Sequence, residues 1–223
     1  AATIRVDGAA VAEFTKQMSE RGFTVYPNAE RKIIRPVPVT PESMDPEARN
    51  AVTMDENLKI TKADLVQAEA VKKWGKPELG FWSGLWAKVF KTEAPQPKFG
   101  VIDSGADLSH PLLKRVKEVK NMTSGGNVDD IGHGSWVHST VLHMAPWSHN
   151  TTHYKTFLNG SATLDDILKS LTQSGNDGNL IISNSWGDDE GDQNGPDAQL
   201  VKKLASEGHI MVFAAGNAGS GKN

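Results

Sequence analysis

From Lys98 onward, short apolar runs alternate with segments of helical period, and this alternation constrains the fold more than any other feature. Phe99-Gly100-Val101-Ile102, Leu180-Ile181-Ile182 and Ile210-Met211-Val212-Phe213-Ala214 read as buried strands. Leu164, Ile167, Leu168 and Leu171 fall at helical spacing. A further helix is expected over Ala198 to Ala205, with Pro196 near its start and Gly208 after its end. This order predicts an α/β domain with a mainly parallel sheet. Ligands of such sheets bind beyond the carboxyl ends of the strands, so the polar residues directly after each run are where a site is sought.

The chain before Lys98 has a different texture. Ala9 to Arg21 reads as a helix with Val11, Phe14 and Met18 on one face, stopped by Gly22. Phe23 to Tyr26 reads as a short strand and Pro27-Asn28 as a turn. Pro36, Pro38 and Pro41 forbid helix and favour an extended linker. Asp64 to Trp74 is the best helix of the next stretch, with Thr61 as its expected cap. The aromatic segment Phe81 to Phe90 reads as a helix docked on a core, or else as an amphipathic contact for a partner or membrane surface. The expected division is 1–41 as a prodomain-like or N-terminal extension, 42–97 as a helical linker, and 98–223 as the sheet domain.

Composition removes several function classes. Lys and Arg total 24 against 27 Asp and Glu, so a strongly basic nucleic-acid face is not expected. Cysteine is absent, which excludes disulfide scaffolds, Cys-ligated zinc and cysteine nucleophiles but leaves the compartment open. No apolar run approaches the ~18 residues of a membrane span. The chain starts Ala1-Ala2-Thr3, which reads as processed or trimmed.

Three strand ends carry candidate chemistry. Asp103 follows the Val101-Ile102 run, where a lone acid is more often a turn or cap residue. His133 stands in Gly132-His133-Gly134-Ser135-Trp136-Val137, with a helix expected after it. The flanking glycines let the backbone bend and are expected to leave the imidazole accessible. An acid beside that imidazole would fix its tautomer and stabilise the imidazolium, which suits a general base. Asn217 follows Ala214-Ala215-Gly216. Alone it reads as a Gly-Asn turn, but such an amide can also point into a site. His138, His143, His149 and His153 raise the question of a metal, but their spacing is poor for one helix face and no HExxH pattern occurs.

Taken together and in this order, the three segments resemble the subtilisin-like serine proteases (subtilases). Val101-Ile102-Asp103-Ser104-Gly105 matches the Asp motif, Gly132-His133-Gly134-Ser135 the His motif, and Ala214-Ala215-Gly216-Asn217 the oxyanion segment. The resemblance covers about Phe99 to Asn217 and implies a three-layer subtilisin-like α/β fold, incomplete in this chain and preceded by a small α/β or helical segment. It implies that Asp103 orients the imidazole, that His133 is the general base, and that Asn217 donates to the oxyanion. Such an amide contributes on the order of 3 kcal/mol, a figure that comes from subtilisin itself. Ser185, Trp186 and Gly187 resemble the strand edge on which an extended peptide pairs by strand addition. Trp136, His138 and Ser139 depart from the small residues usual after the His, and are not expected to move His133. Subtilases often carry an inhibitory prodomain, and Ala9 to Tyr26 is similar to the end of one.

The family's nucleophile motif, G-T-S-x-A, is not found. Gly160-Ser161-Ala162 lies in the wrong order and reads as a turn. The expectation is a subtilisin-like endopeptidase fragment whose Ser-bearing partner is a separate C-terminal chain or fragment. A shortened chain and a catalytically dead peptide-binding module are the alternatives. No cofactor is required for the chemistry. Asp188 to Asp197 holds five acids. This loop resembles the kexin-like branch, where acids attract Lys or Arg before the scissile bond, and its oxygens also suit calcium. Polypeptide substrate is implied, nucleic acid and membrane spans are not, and the family resemblance leans towards secretion.

Overall fold

The computed structural model describes residues 3–33, 58–74, 96–187 and 191–216. The linker of 35–41, the aromatic segment of 81–90, the acids at 188–190 and Asn217 lie outside the described residues. In chain order the elements are α1 (Val11–Glu20), β1 (Glu30–Ile33), α2 (Ala63–Trp74), β2 (Phe99–Asp103), β3 (Glu118–Asn121), α3 (His133–Met144), β4 (Thr151–Lys155), β5 (Ser161–Thr163), α4 (Leu164–Asn176), β6 (Ile181–Asn184), β7 (Trp186–Gly187), α5 (Pro196–Ser206) and β8 (Ile210–Phe213).

Five strands form a sheet in the order β3-β4-β2-β6-β8, and every pairing in it is parallel. Parallel strands need crossovers, and the helical-period segments supply them. Val101 and Ile102 of the central β2 are fully buried, which is why that strand reads as a continuous apolar run. α4 and α5 pack on the sheet through a core of Ile102, Tyr154, Phe157, Ile167, Leu171, Ile182 and Leu204. α4 starts at a capping box: the Asp166 N–H donates to Thr163 Oγ1 at 3.3 Å, and the Thr163 N–H to Asp166 Oδ2 at 3.1 Å. α5 begins with Pro196, as expected.

Two expectations need correction. The strand expected over Phe23–Tyr26 is absent, and the strand forms later, at Glu30–Ile33. α1 ends in a Schellman arrangement, with the Phe23 N–H bonded to the Met18 carbonyl and the Gly22 N–H to that of Ser19. Phe23 to Asn28 then run along a groove of about 990 Å³ facing α4, whereas two sheet edges await residues 30–33. Gly160-Ser161-Ala162 is likewise not simply a turn. Leu158 and Ser161 close a tight turn by mutual backbone bonds, and Ser161–Thr163 continues as a strand.

β1 lies between β5 and β7 in a second, three-stranded antiparallel sheet. Arg31 stands opposite Ala162, Lys32 opposite both Ser161 and Gly187, and Ile33 opposite Trp186. A strand from the amino-terminal segment thus sits in a slot built by two distant parts of the sheet domain. The Thr61 hydroxyl donates to the Leu58 carbonyl, and α2 begins at Ala63. Among the described residues no helix is long and apolar enough to cross a membrane.

Candidate active site

Asp103 ends the central strand, and His133 opens α3. Their side chains meet, with Nδ1 of His133 2.8 Å from Oδ1 of Asp103. Asp103 is fully buried and His133 is 8% exposed, so the imidazole is less open than its glycine flanks suggest. The glycines do different things. Gly132 takes φ +77° at the helix N-cap. Gly134 lets α3 touch the β2 turn: a Cβ there would stand 2.2 Å from the Gly105 carbonyl oxygen and 2.9 Å from His153 Cε1.

A hydrogen-bond network fixes this approach. The Ser104 hydroxyl donates to Asp129 Oδ1 at 2.8 Å and accepts the Gly134 N–H at 3.0 Å. Asp129 Oδ1 also accepts the Gly132 N–H at 3.0 Å, while Oδ2 accepts the Ser135 N–H at 2.8 Å and its hydroxyl at 2.7 Å. Asp129 thereby caps α3 and ties it to the end of β2. Lys155, 1% exposed, donates to Asp130 Oδ1 at 2.7 Å and to the Val128 carbonyl, bracing the same loop from below. Sequence reasoning missed Asp129, Ser104 and Lys155 as site-builders. Asp129 lies three residues before the N-cap Gly132, outside the usual capping position, so local sequence carried no signal for it.

Burial pushes the Asp103 carboxyl above its usual value, and the bonds from His133 and from the Ser104 N–H offset part of that. With Asp103 ionised, His133 Nδ1 carries the proton, and Nε2 is the ring's basic nitrogen.

Behind this pair, His138 and His153 stack at 5.4 Å, with Nδ1 to Nδ1 at 3.2 Å. The Gly105 N–H donates to His153 Nε2 at 3.0 Å. His153 therefore carries its proton on Nδ1 and donates to His138, which is left with its own proton on Nε2. That nitrogen is buried with no partner among the described residues. Burial lowers His138 to about 4, and burial, His138 and Lys155 together hold His153 well below its usual value. Both rings bind protons more readily in the unfolded chain, so stability falls as pH drops below about 6.5. Urea unfolding should lose about 3 kcal/mol between pH 7 and pH 4 from His138 alone, and His138→Gln should flatten the slope. A midpoint constant over that range would sink this assignment. Among the described residues no group of three or more His, Asp or Glu is placed to hold a metal.

The remaining expected residues divide. Ile102 pairs with Asn184, so Asp103 and the Ser185-Trp186-Gly187 segment leave neighbouring strands at the same end of the sheet. The backbone of Trp186 and Gly187 offers an edge, and β1 occupies it. The Trp186 indole turns into the core, donating to Asn184 Oδ1 at 3.2 Å and meeting Phe213 edge-on at 5.5 Å. Ala214, three residues before Asn217, bonds through its N–H to the Asn184 carbonyl at 3.0 Å. Among the described residues of the 188–197 loop, Asp192 accepts the Asn194 N–H, and Asp197 accepts from Arg31 and from the Ala198 N–H.

The sequence profile of the subtilase family matches residues 95–223. No curated protein matches the chain. Among solved structures, the prenylagaramide maturation protease PagA shares 21% identity at a TM-score of 0.43, over 64% of this chain and 52% of its own. Fervidolysin from Fervidobacterium pennivorans, a keratinolytic enzyme related to subtilisin, shares 17% at 0.47, over 84% of this chain and 30% of its own. The epidermin leader peptide processing protease of Staphylococcus aureus shares 17% at 0.42, over 94% and 58%. The chain thus spans about half the length of the first of these and less than two thirds of the others. The family match extends over more than half of the chain and takes in the Asp103 and His133 motifs alike, and on that ground the chain belongs to the subtilase family.

Proposed function

We propose that this chain carries the Asp/His part, and with Asn217 the oxyanion part, of a subtilisin-like serine endopeptidase. His133 acts as general base, Asp103 holds its tautomer and stabilises the imidazolium, and Asn217 donates to the oxyanion. The observation that supports this best is the 2.8 Å contact between Asp103 and His133 at the carboxyl end of the sheet. The nucleophilic serine belongs to polypeptide outside these 223 residues, on a separate C-terminal chain or fragment. Attack of that serine on a peptide carbonyl passes its proton to His133 Nε2, which returns it to the leaving amine. The resulting acyl-enzyme is then hydrolysed by water activated in the same way.

Extended polypeptide pairs between β5 and β7, with the backbone at Ser185, Trp186 and Gly187 as one wall. β1 occupies that slot in cis, in keeping with a prodomain-like role for the amino-terminal segment. Acids of the 188–197 loop other than Asp197, whose two oxygens are engaged by Arg31 and the Ala198 N–H, are further proposed to bind calcium, with chelation as the check. A non-catalytic peptide-binding module is the second reading. The strand addition by β1 favours it, since that contact needs no serine.

Native material labelled with a fluorophosphonate and weighed intact separates the two. A labelled serine in a G-T-S-x-A sequence, with labelling lost on His133→Ala, is the expected result. Peptide binding without any labelled serine would leave only the binding module.

A further inference from the structure

Successive side chains of β1 alternate between solvent and protein. Glu30 and Lys32 are exposed, while Arg31 and Ile33 are buried at 8% and 6%. The two inward positions enter different surroundings. Ile33 joins the apolar core beside Trp186 and Ala162. The Arg31 guanidinium meets Asp197, with Nε at 3.0 Å and Nη2 at 2.9 Å from Oδ2. The two side chains are only 10% and 14% exposed. Asp197 is held from the other side, where its Oδ1 accepts the Ala198 N–H at 3.0 Å in the first turn of α5. A guanidinium taken this far out of water needs its carboxylate, and an apolar or acidic side chain in its place would leave Asp197 buried and unpaired.

The slot is a backbone template: its walls hydrogen-bond to any extended chain, so selectivity falls to the inward side chains. We infer that Asp197 forms a subsite selecting a peptide with arginine two residues before an aliphatic side chain, and that β1 is seated by meeting the same requirement. This rests on the reading of the slot as a peptide groove.

The test is peptide binding to the full chain with its own strand displaced. Ile33→Pro removes the N–H that donates to the Gly160 carbonyl at 3.0 Å together with the buried side chain. Arg31→Glu sets like charges against Asp197 and serves as a second opened chain should the proline variant not fold. Fluorescein-labelled Asn-Ala-Glu-Arg-Lys-Ile-Ile is titrated by anisotropy against the same peptide with Ala or Glu in place of Arg. The Arg peptide should bind at least about ten-fold more tightly, and adding Asp197→Asn should erase that preference. Equal affinity for the Arg and Ala peptides would overturn the subsite while leaving the groove intact. If neither opened chain binds any of the peptides, the groove reading falls and the subsite with it.

Discussion

Asp103→Asn is expected to lower kcat of the proposed protease about 10⁴-fold, the size of effect known when the acid of a Ser-His-Asp triad becomes an amide. Asp103 is fully buried and touches His133 through Oδ1. An amide of nearly the same shape keeps the packing, but its NH2 now favours the imidazole tautomer with Nδ1 unprotonated and Nε2 carrying the proton. The ring then has no basic nitrogen facing the nucleophile. KM should change little, because the slot between β5 and β7 is untouched. A stopped assay with a chromogenic peptide gives kcat and KM separately. A loss of less than ten-fold, in a variant that unfolds like the parent, would remove Asp103 from the mechanism.

Gly134→Ala is the second large effect, and it acts on assembly of the site. The added methyl would meet the Gly105 carbonyl oxygen at 2.2 Å, the Gly105 nitrogen at 2.9 Å and His153 Cε1 at 2.9 Å. Two of these are backbone atoms that cannot swing aside, and the third belongs to a fully buried ring. α3 must therefore lift away from the end of β2, which parts His133 from Asp103. A cost of about 3 kcal/mol or more in urea unfolding is expected, with loss of the low-field Nδ1 proton signal of His133. Gly126→Ala is the control, since nothing lies within 4 Å of a Cβ there. If both substitutions leave stability unchanged, the tight approach of α3 to β2 is refuted.

How much of this was legible in the sequence depended on whether neighbours or distant partners set the local structure. β2 was legible because burial on both faces demands an unbroken apolar run. α4 and α5 were legible from period, capping and Pro196. Asp103 and His133 were legible because their motifs encode the turn and helix start that present them. β4 was not, because Thr-Thr-His-Tyr-Lys is polar. Its three long polar side chains are buried because each finds a partner elsewhere: His153 at Gly105, Lys155 at Asp130, and the Tyr154 hydroxyl at Asp177 and Asn179. β1 was illegible for a related reason. Glu-Arg-Lys-Ile has no strand pattern of its own and becomes a strand because two edges from far along the chain accept it. The network around Asp129 has the same character, linking Ser104, Gly132 and Ser135 across separate segments.

The placement of β1 also has a consequence for rates and concentrations. A segment joined covalently to the domain it fills competes at an effective concentration on the order of 1 mM, however dilute the protein is. A visiting peptide must therefore be abundant, or bind much better than Glu30–Ile33, to displace it. Cutting the chain anywhere between Ile33 and Phe99 would turn this first-order contact into a second-order one. From then on dilution would favour the strand's departure, so one backbone cut would act as a clock whose pace is the unimolecular rate at which the strand leaves the slot.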